Sequence, residues 1–193
     1  MITILLDSSN TNLSAGIAKD NLLLESISYE AWQRQSEYMI PELDKLLEKH
    51  KVSRSDIKEV VVAKGPGSYT GVRIAITIAK TIATALNAKL YAVSSLKTQK
   101  NGKNPSICLI NARSARSYVG VYRGYETILP DQIMKNDDLL DYIKKHPDYS
   151  VCGDTSYLGI EGVKTDNIKE MLDLKSSEEN VNPLSLKPVY MKD

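Results

Sequence analysis

The chain contains no phenylalanine, a single tryptophan, two cysteines and two histidines among 193 residues. Each shortage closes off a class of protein. Two cysteines cannot build a disulfide scaffold, and Cys108 and Cys152 lack the close spacing of a zinc site, so they read as buried, reduced thiols of a cytoplasmic protein. His50 and His146 stand far apart and form no His-x-x-x-His ligand pair. No apolar run approaches the roughly eighteen residues that span a bilayer. Met1 to Leu6 lacks the basic lead of a signal peptide and runs straight into Asp7, Ser8 and Ser9. Without phenylalanine, aromatic core positions fall to the eleven tyrosines or are taken by Ile and Leu.

What remains is the composition of a folded domain: 42% hydrophobic and 25% charged residues, with a net charge of +1. A chain of this length buries roughly 70% of its unfolded surface, so a substantial core is available. The charge is unevenly spread. Residues 1–50 carry four basic and eight acidic side chains, residues 51–103 ten and two, and residues 104–193 eleven and fourteen. The basic middle either faces an anion such as a nucleotide phosphate or RNA, or folds against the acidic first segment.

Three short strands open the chain, at Thr3 to Leu6, Ser14 to Ala18 and Leu22 to Ser28, separated by polar turns. Met39, Ile40, Leu43, Leu46 and Leu47 then recur at helical spacing, and Pro41 suits the first turn of that helix. The valine-rich run Glu59 to Ala63 is a buried strand, Thr70 to Leu86 a second helix, and Leu90 to Val93 a further strand. A polar stretch from Lys97 to Pro105 marks a boundary near residue 100, giving lobes of residues 1–100 and 101–193. The second half repeats the theme with strands at Ile107 to Ile110, Tyr118 to Tyr122 and Tyr149 to Cys152, and a helix from Asp137 to Lys145. Beyond Gly153 the pattern fades; Asp173 to Asn182 reads as loop, and Pro188 to Met191 could pin the tail to a sheet. This order describes an α/β chain built on mixed sheets.

Strand, then Gly65, Gly67, Ser68 and Gly71, then helix, is an arrangement in which backbone amides could cradle a phosphate, with Asp7 at the end of the first strand holding a metal-bound phosphate. The loop matches neither a Walker motif nor the dinucleotide fingerprint. It serves equally as a tight turn in which glycine permits close backbone approach and Ser68 or Thr70 caps the helix. Asp7 serves equally as a cap or turn residue. The helix itself is unusual. Arg73, Thr77, Lys80, Thr81 and Thr84 share one side, while Val72, Ile74, Ala75, Ile76, Ile78, Ala79, Ile82 and Ala83 spread over roughly 200°, wider than the ~100° stripe of a helix lying on one sheet. The line Ala75, Ala79, Ala83 would admit a second helix closely. Fold economy favours internal cover for the excess, from the helix of Leu43 to Leu47; the other candidate is a second protein chain. Catalytic groups are scarce, and where a second acid would be placed after Ile110 the chain has Asn111.

The motif Gly65-Pro66-Gly67-Ser68-Tyr69-Thr70-Gly71-Val72-Arg73 closely resembles that of the bacterial TsaB (YeaZ) family. So do Ile4 to Ser9, Gln35 to Pro41, Asn111 to Arg113 followed by Tyr118, and the ending Pro188 to Lys192. The resemblance implies an actin-like, Hsp70-like ATPase (ribonuclease H-like) fold of two related lobes, the second reduced. It implies work in forming N6-threonylcarbamoyladenosine in tRNAs that read codons beginning with A, as a cytoplasmic, non-catalytic subunit. The implied partners are the paralogue TsaD, bound as a heterodimer through the two first-lobe helices, the ATPase TsaE, and tRNA through the complex. A homodimer through the same helices is implied for the free chain.

On this resemblance the partner-binding residues are Tyr38, Met39, Leu43, Leu46 and Leu47 on one helix and Val72, Arg73, Ile74, Ala75, Ile76, Ile78, Ala79, Ile82 and Ala83 on the next. The preference for internal cover is thereby reversed, and Ala79→Arg is expected to abolish pairing while leaving the chain folded. The resemblance implies no tightly bound cofactor and no metal, with ATP or ADP at the complex interface. A protease activity is not expected. Family members carry His at Gln35 and Asp at Asn111, departures that weaken any nucleotide site. The competing expectation is a small ATP-binding phosphotransferase or ATPase using Asp7 and the loop Gly65 to Gly71.

Overall fold

The computed structural model describes residues 1–31 and 33–191, so Lys192 of the closing motif lies outside the described residues. Strands β1 (Ile2–Asp7), β2 (Asn12–Lys19) and β3 (Leu22–Glu30) form an antiparallel meander, with Asp20 and Asn21 taking the positive φ that a two-residue hairpin requires. Helix α1 (Gln35–Lys49) leads to β4 (Ile57–Ala63), and α2 (Tyr69–Leu86) crosses from β4 to β5 (Lys89–Val93). Both later strands run parallel to β1, giving the sheet order β3-β2-β1-β4-β5. A second sheet repeats the opening: β6 (Pro105–Arg113), β7 (Arg116–Arg123), β8 (Glu126–Lys135), α3 (Asn136–Lys145) and β9 (Ser150–Gly153), in the order β8-β7-β6-β9 with β9 parallel to β6. Two mixed sheets with a shared meander–helix–strand order make this an actin-like fold with a reduced second lobe. Among the described residues no helix is long and apolar enough to cross a membrane.

Alternation along the strands sorts the first core into two layers. Ile4, Leu6, Ala15, Ile17, Val60 and Val62 face α1 and α2, while Leu5, Ala18, Val61, Ala63 and Val93 face the other way. That second face is covered by α4 (Asn167–Leu174), through Ile168, Met171 and Leu174. The chain after Gly153 therefore leaves the second sheet and returns to the first. Leu, Ile and Val fill both cores; among the described tyrosines only Tyr122 is fully buried.

Three local expectations change. Helix α1 begins at Gln35, so Pro41 lies inside it rather than in its first turn. Pro41 is exposed, which lets water satisfy the Glu37 carbonyl that the missing proline N–H leaves free. Strand β8 carries Pro130 at a shifted register and sits at the sheet edge, where proline is tolerated but the alternating signal is lost. Helix α4 lies where the pattern faded and takes only the first two residues of the expected loop at 173–182: Asp166 caps α4 by accepting from the amides of Ile168 and Lys169, and in the loop Val181 N donates to the Leu90 carbonyl at 2.8 Å.

Two buried lysines tie α4 into place. Lys100, 1% exposed in the linker between the sheets, pairs with Glu170 and lies 3.4 Å from Asp173 of the same helix. Lys175 donates to Glu59 Oε2 and to Asn21 Oδ1, and Thr3 donates to the same Glu59 oxygen at 2.7 Å. Burial pushes the Glu59 carboxyl up, but hydrogen bonds from Lys175 and Thr3 outweigh it and hold it below its ordinary value.

Removing one partner of such a pair leaves an uncompensated buried charge, so Lys175→Met should cost ~3–5 kcal/mol in urea unfolding at neutral pH. A depressed carboxyl stabilises the fold above its unfolded value of ~4.3 and loses that contribution as pH falls through the lower folded value. The gap between wild type and Lys175→Met should accordingly narrow below about pH 4. Ala79, 0% exposed, lies in the core shared by α2, α1 and the sheet. Ala79→Arg is therefore expected to lower the melting temperature sharply, by overpacking and a buried charge worth at least ~3 kcal/mol, instead of acting on a partner alone.

Candidate partner-binding face

Between β4 and α2 the chain passes through a cis Gly65–Pro66 bond into three close backbone approaches. Gly65 has φ +101°, and a Cβ there would lie 2.5 Å from the Val189 carbonyl oxygen. Side chains at Gly67 and Gly71 would collide with the carbonyl oxygens of Ser9 and Ser8. Only glycine fits these contacts. Ser68 Oγ accepts from Gly71 N and caps α2, while Ser8 Oγ donates to the Gly71 carbonyl at 2.7 Å.

Three of the loop's amides have partners within the chain. Gly65 N donates to Ser95 Oγ at 3.0 Å, Ser68 N to the Ser9 carbonyl at 2.6 Å, and Gly71 N to Ser68 Oγ at 3.2 Å. Asp7 is 2% exposed; its Oδ1 accepts from Ser9 N at 2.8 Å and its Oδ2 from Asn167 Nδ2 at 2.9 Å. Burial pushes this carboxyl up against the opposing hydrogen bonds of Ser9 and Asn167. A phosphate cradle needs free amides and an accessible carboxylate. Asp7 is not accessible, so the carboxylate of such a cradle is closed off, while Gly65, Gly67, Ser68 and Gly71 tie the loop to the Ser8–Ser9 turn and the tail. Of the two family departures, Gln35 is buried and donates from Nε2 to the Thr11 carbonyl at 3.3 Å, and Asn111 Oδ1 accepts from Arg113 N in a hairpin turn.

The broad apolar arc of α2 divides. Val72, Ala75, Ile76, Ala79 and Ala83 are buried in the core, as are Met39, Leu43, Leu46 and Leu47 of α1. The alanine line thus packs inward. Ile74, Ile78 and Ile82 stay half-buried outside it, with Tyr38 half-buried on α1 and Arg73 exposed. Between the two helices lies an open cleft of about 450 Å³ lined by Ser36, Ile40, Tyr69, Thr70, Arg73, Ile74, Thr77 and Ile78. Ile40 is 41% and Tyr69 58% exposed, so large apolar groups face solvent here. Sequence periodicity placed Ile40 in the helix but not on this face. Its signal was the step of ~100° from the inward-facing Met39.

Comparison with known proteins gives a consistent picture. The family model described as TsaD, tRNA N6-adenosine threonylcarbamoyltransferase, matches residues 29–179. The chain is 35% identical over 154 residues to the tRNA threonylcarbamoyladenosine biosynthesis protein TsaB of Bacillus subtilis (strain 168), covering 75% of this chain and 67% of that protein. It is 26% identical over 155 residues to the protein of the same name from Buchnera aphidicola subsp. Schizaphis graminum, covering 75% and 73%. The solved structure of YeaZ from Pseudomonas aeruginosa matches the whole fold with a TM-score of 0.80 at 21% identity, over 98% of this chain and 99% of that one. With its glycine motif, two-lobed fold and these relatives, the chain belongs to the TsaB (YeaZ) family of tRNA threonylcarbamoyladenosine biosynthesis proteins.

Proposed function

We propose that this chain is the non-catalytic subunit that binds and supports TsaD while N6-threonylcarbamoyladenosine is formed in tRNAs reading codons that begin with A. The observation that carries this reading is the uncovered cleft between α1 and α2, where Ile40, Ile74 and Ile78 face solvent around an apolar hollow. Burying such a patch stabilises an interface by roughly 25 cal/mol per Å² of apolar surface. TsaD occupies the face in the complex; in its absence a second copy of the chain does. TsaE joins the pair, tRNA is reached through the complex, and the work takes place in the cytoplasm. No reaction step falls to this chain, because its best-placed acid is capped by Ser9 and Asn167. Any ATP or ADP belongs to the complex interface.

Ile40→Glu places a charge in the cleft wall at a residue that is 41% exposed and packs in no core cluster. It should abolish co-purification with TsaD from the same cell with the melting temperature nearly unchanged. Retention of TsaD at wild-type affinity would reject this face. Calorimetry of the isolated chain with Mg-ATP should show no binding that depends on Asp7; tight binding lost in Asp7→Ala would instead support a phosphotransferase.

A further inference from the structure

One charged side chain lines the apolar cleft, and it is held in an uncommon way. Arg73 Nη1 donates to the Tyr69 hydroxyl at 2.8 Å, and its guanidinium carbon lies 5.1 Å from the centroid of the same ring. Tyr69 also stacks on Tyr190, with ring centroids 4.8 Å apart and planes inclined by 25°. Tyr190 arrives from the far end of the chain on a strap that is fixed along its length. Asn180 Oδ1 accepts from Leu90 N, Val181 N donates to the Leu90 carbonyl, the Leu186 carbonyl accepts from Lys80 Nζ at 3.2 Å, and Val189 N donates to the Lys64 carbonyl at 2.7 Å. Gly65 leaves room for the Val189 carbonyl to pass, so the strap is seated by the same loop that starts α2.

We propose that Arg73 is the ionic anchor of the partner face, pairing with a carboxylate on TsaD, and that Tyr190 is its positioning residue, acting through Tyr69. The inference rests on the reading of the cleft as the TsaD-binding face. An arginine covered by an apolar partner loses its water, and the phenol and ring of Tyr69 do not neutralise it. A carboxylate matches its planar fork in two hydrogen bonds. Arginine loses rotamer freedom when it binds, and an Arg73 already laid against a clamped Tyr69 has less to lose. The stack with Tyr190, which is itself 42% exposed, limits the movement of the Tyr69 ring against which Arg73 lies. The partner surface is therefore an apolar ridge that fills the cleft, with an acidic residue at the end nearest the α2 N-terminus.

The test is the affinity of the full-length chain for TsaD, measured at about 50 and 500 mM salt, where ion pairs at a rim are screened to different degrees. Wild type should weaken as salt rises. Arg73→Ala should bind about tenfold or more weakly at low salt and lose most of the salt dependence. Tyr190→Ala should bind ~2–10-fold more weakly, also with a flattened salt response, whereas Tyr190→Phe, which keeps the stack, should match wild type. Unchanged affinity and salt response in Arg73→Ala overturn the anchor. Tyr190→Ala that is unaltered, or weakened with a wild-type salt response, overturns the positioning role. Ile40→Glu, run alongside, separates these failures from failure of the face itself: if that variant also binds normally, the TsaD reading falls, and if it alone loses binding, only the Arg73 and Tyr190 assignments do.

Discussion

Three backbones meet at the Gly65–Gly71 loop without side chains between them, and much of the molecule follows from that contact. The Ser8–Ser9 turn after β1 presses on Gly67 and Gly71, and the tail presses on Gly65. With Ser68 capping the first turn, the start of α2 is set in position and rotation relative to β1 and β4. Rotation decides which residues of an α-helix enter the core, since a shift of one residue turns the face by ~100°. Here it directs Ala75, Ala79 and Ala83 inward, where small side chains let the helix approach the sheet, and leaves the isoleucine ridge outside. The same contact occupies the amides of Gly65, Ser68 and Gly71.

Helix α4 supplies the second constraint. Its three fully buried apolar residues, with Leu172 beside them, cover the face of the first sheet opposite α1 and α2, and its polar residues bond to the neighbouring segments. Asn167 bonds Asp7 at the end of β1, Glu170 and Asp173 receive Lys100 from the linker, Asp173 also accepts from the Tyr125 hydroxyl of the second sheet's hairpin, and Lys175 reaches Glu59. Buried lysines are tolerated only with such partners. A helix of eight residues thereby closes the first sheet, holds the linker through Lys100 and reaches the second sheet's hairpin through Asp173 and Tyr125.

The first hundred residues were largely legible because their signals are long and mutually consistent: a hairpin turn, a five-turn helix, valine-rich buried strands and a glycine motif. The second half was less so for identifiable reasons. Pro130 interrupts β8, and α4 has little more than two turns in which to show periodicity. Its cap, Asp166, and the spacing of Ile168, Met171 and Leu172 were the available signal. The apolar arc of α2 was correctly seen as too wide for one sheet. Its division was not visible, because a helical wheel gives relative angles but not the absolute rotation that packing at Ser8 and Ser9 imposes. Pairing Arg73 and Tyr69 with Tyr190 lay further out of reach, since contacts across more than a hundred residues leave no periodic trace.

The side of α2 that stays outside has a composition the isolated chain does not need. Ile74, Ile78 and Ile82 are β-branched residues on a helix, each stiff at χ1 and a poorer helix former than Leu, Lys or Glu. Half-exposed, they also forgo part of the stabilisation that full burial gives, on the order of 1.5–3 kcal/mol for such a side chain. Ile78 and Ile82 keep one edge on the core, whereas a polar substitute at Ile74, which packs in no core cluster, would make the free monomer more soluble. The ridge offsets its cost only when a second surface removes it from water, whereas the alanines beside it already do their work in the core. Of the two small and large apolar lines on one helix, the small one builds the subunit and the large one is left for a partner.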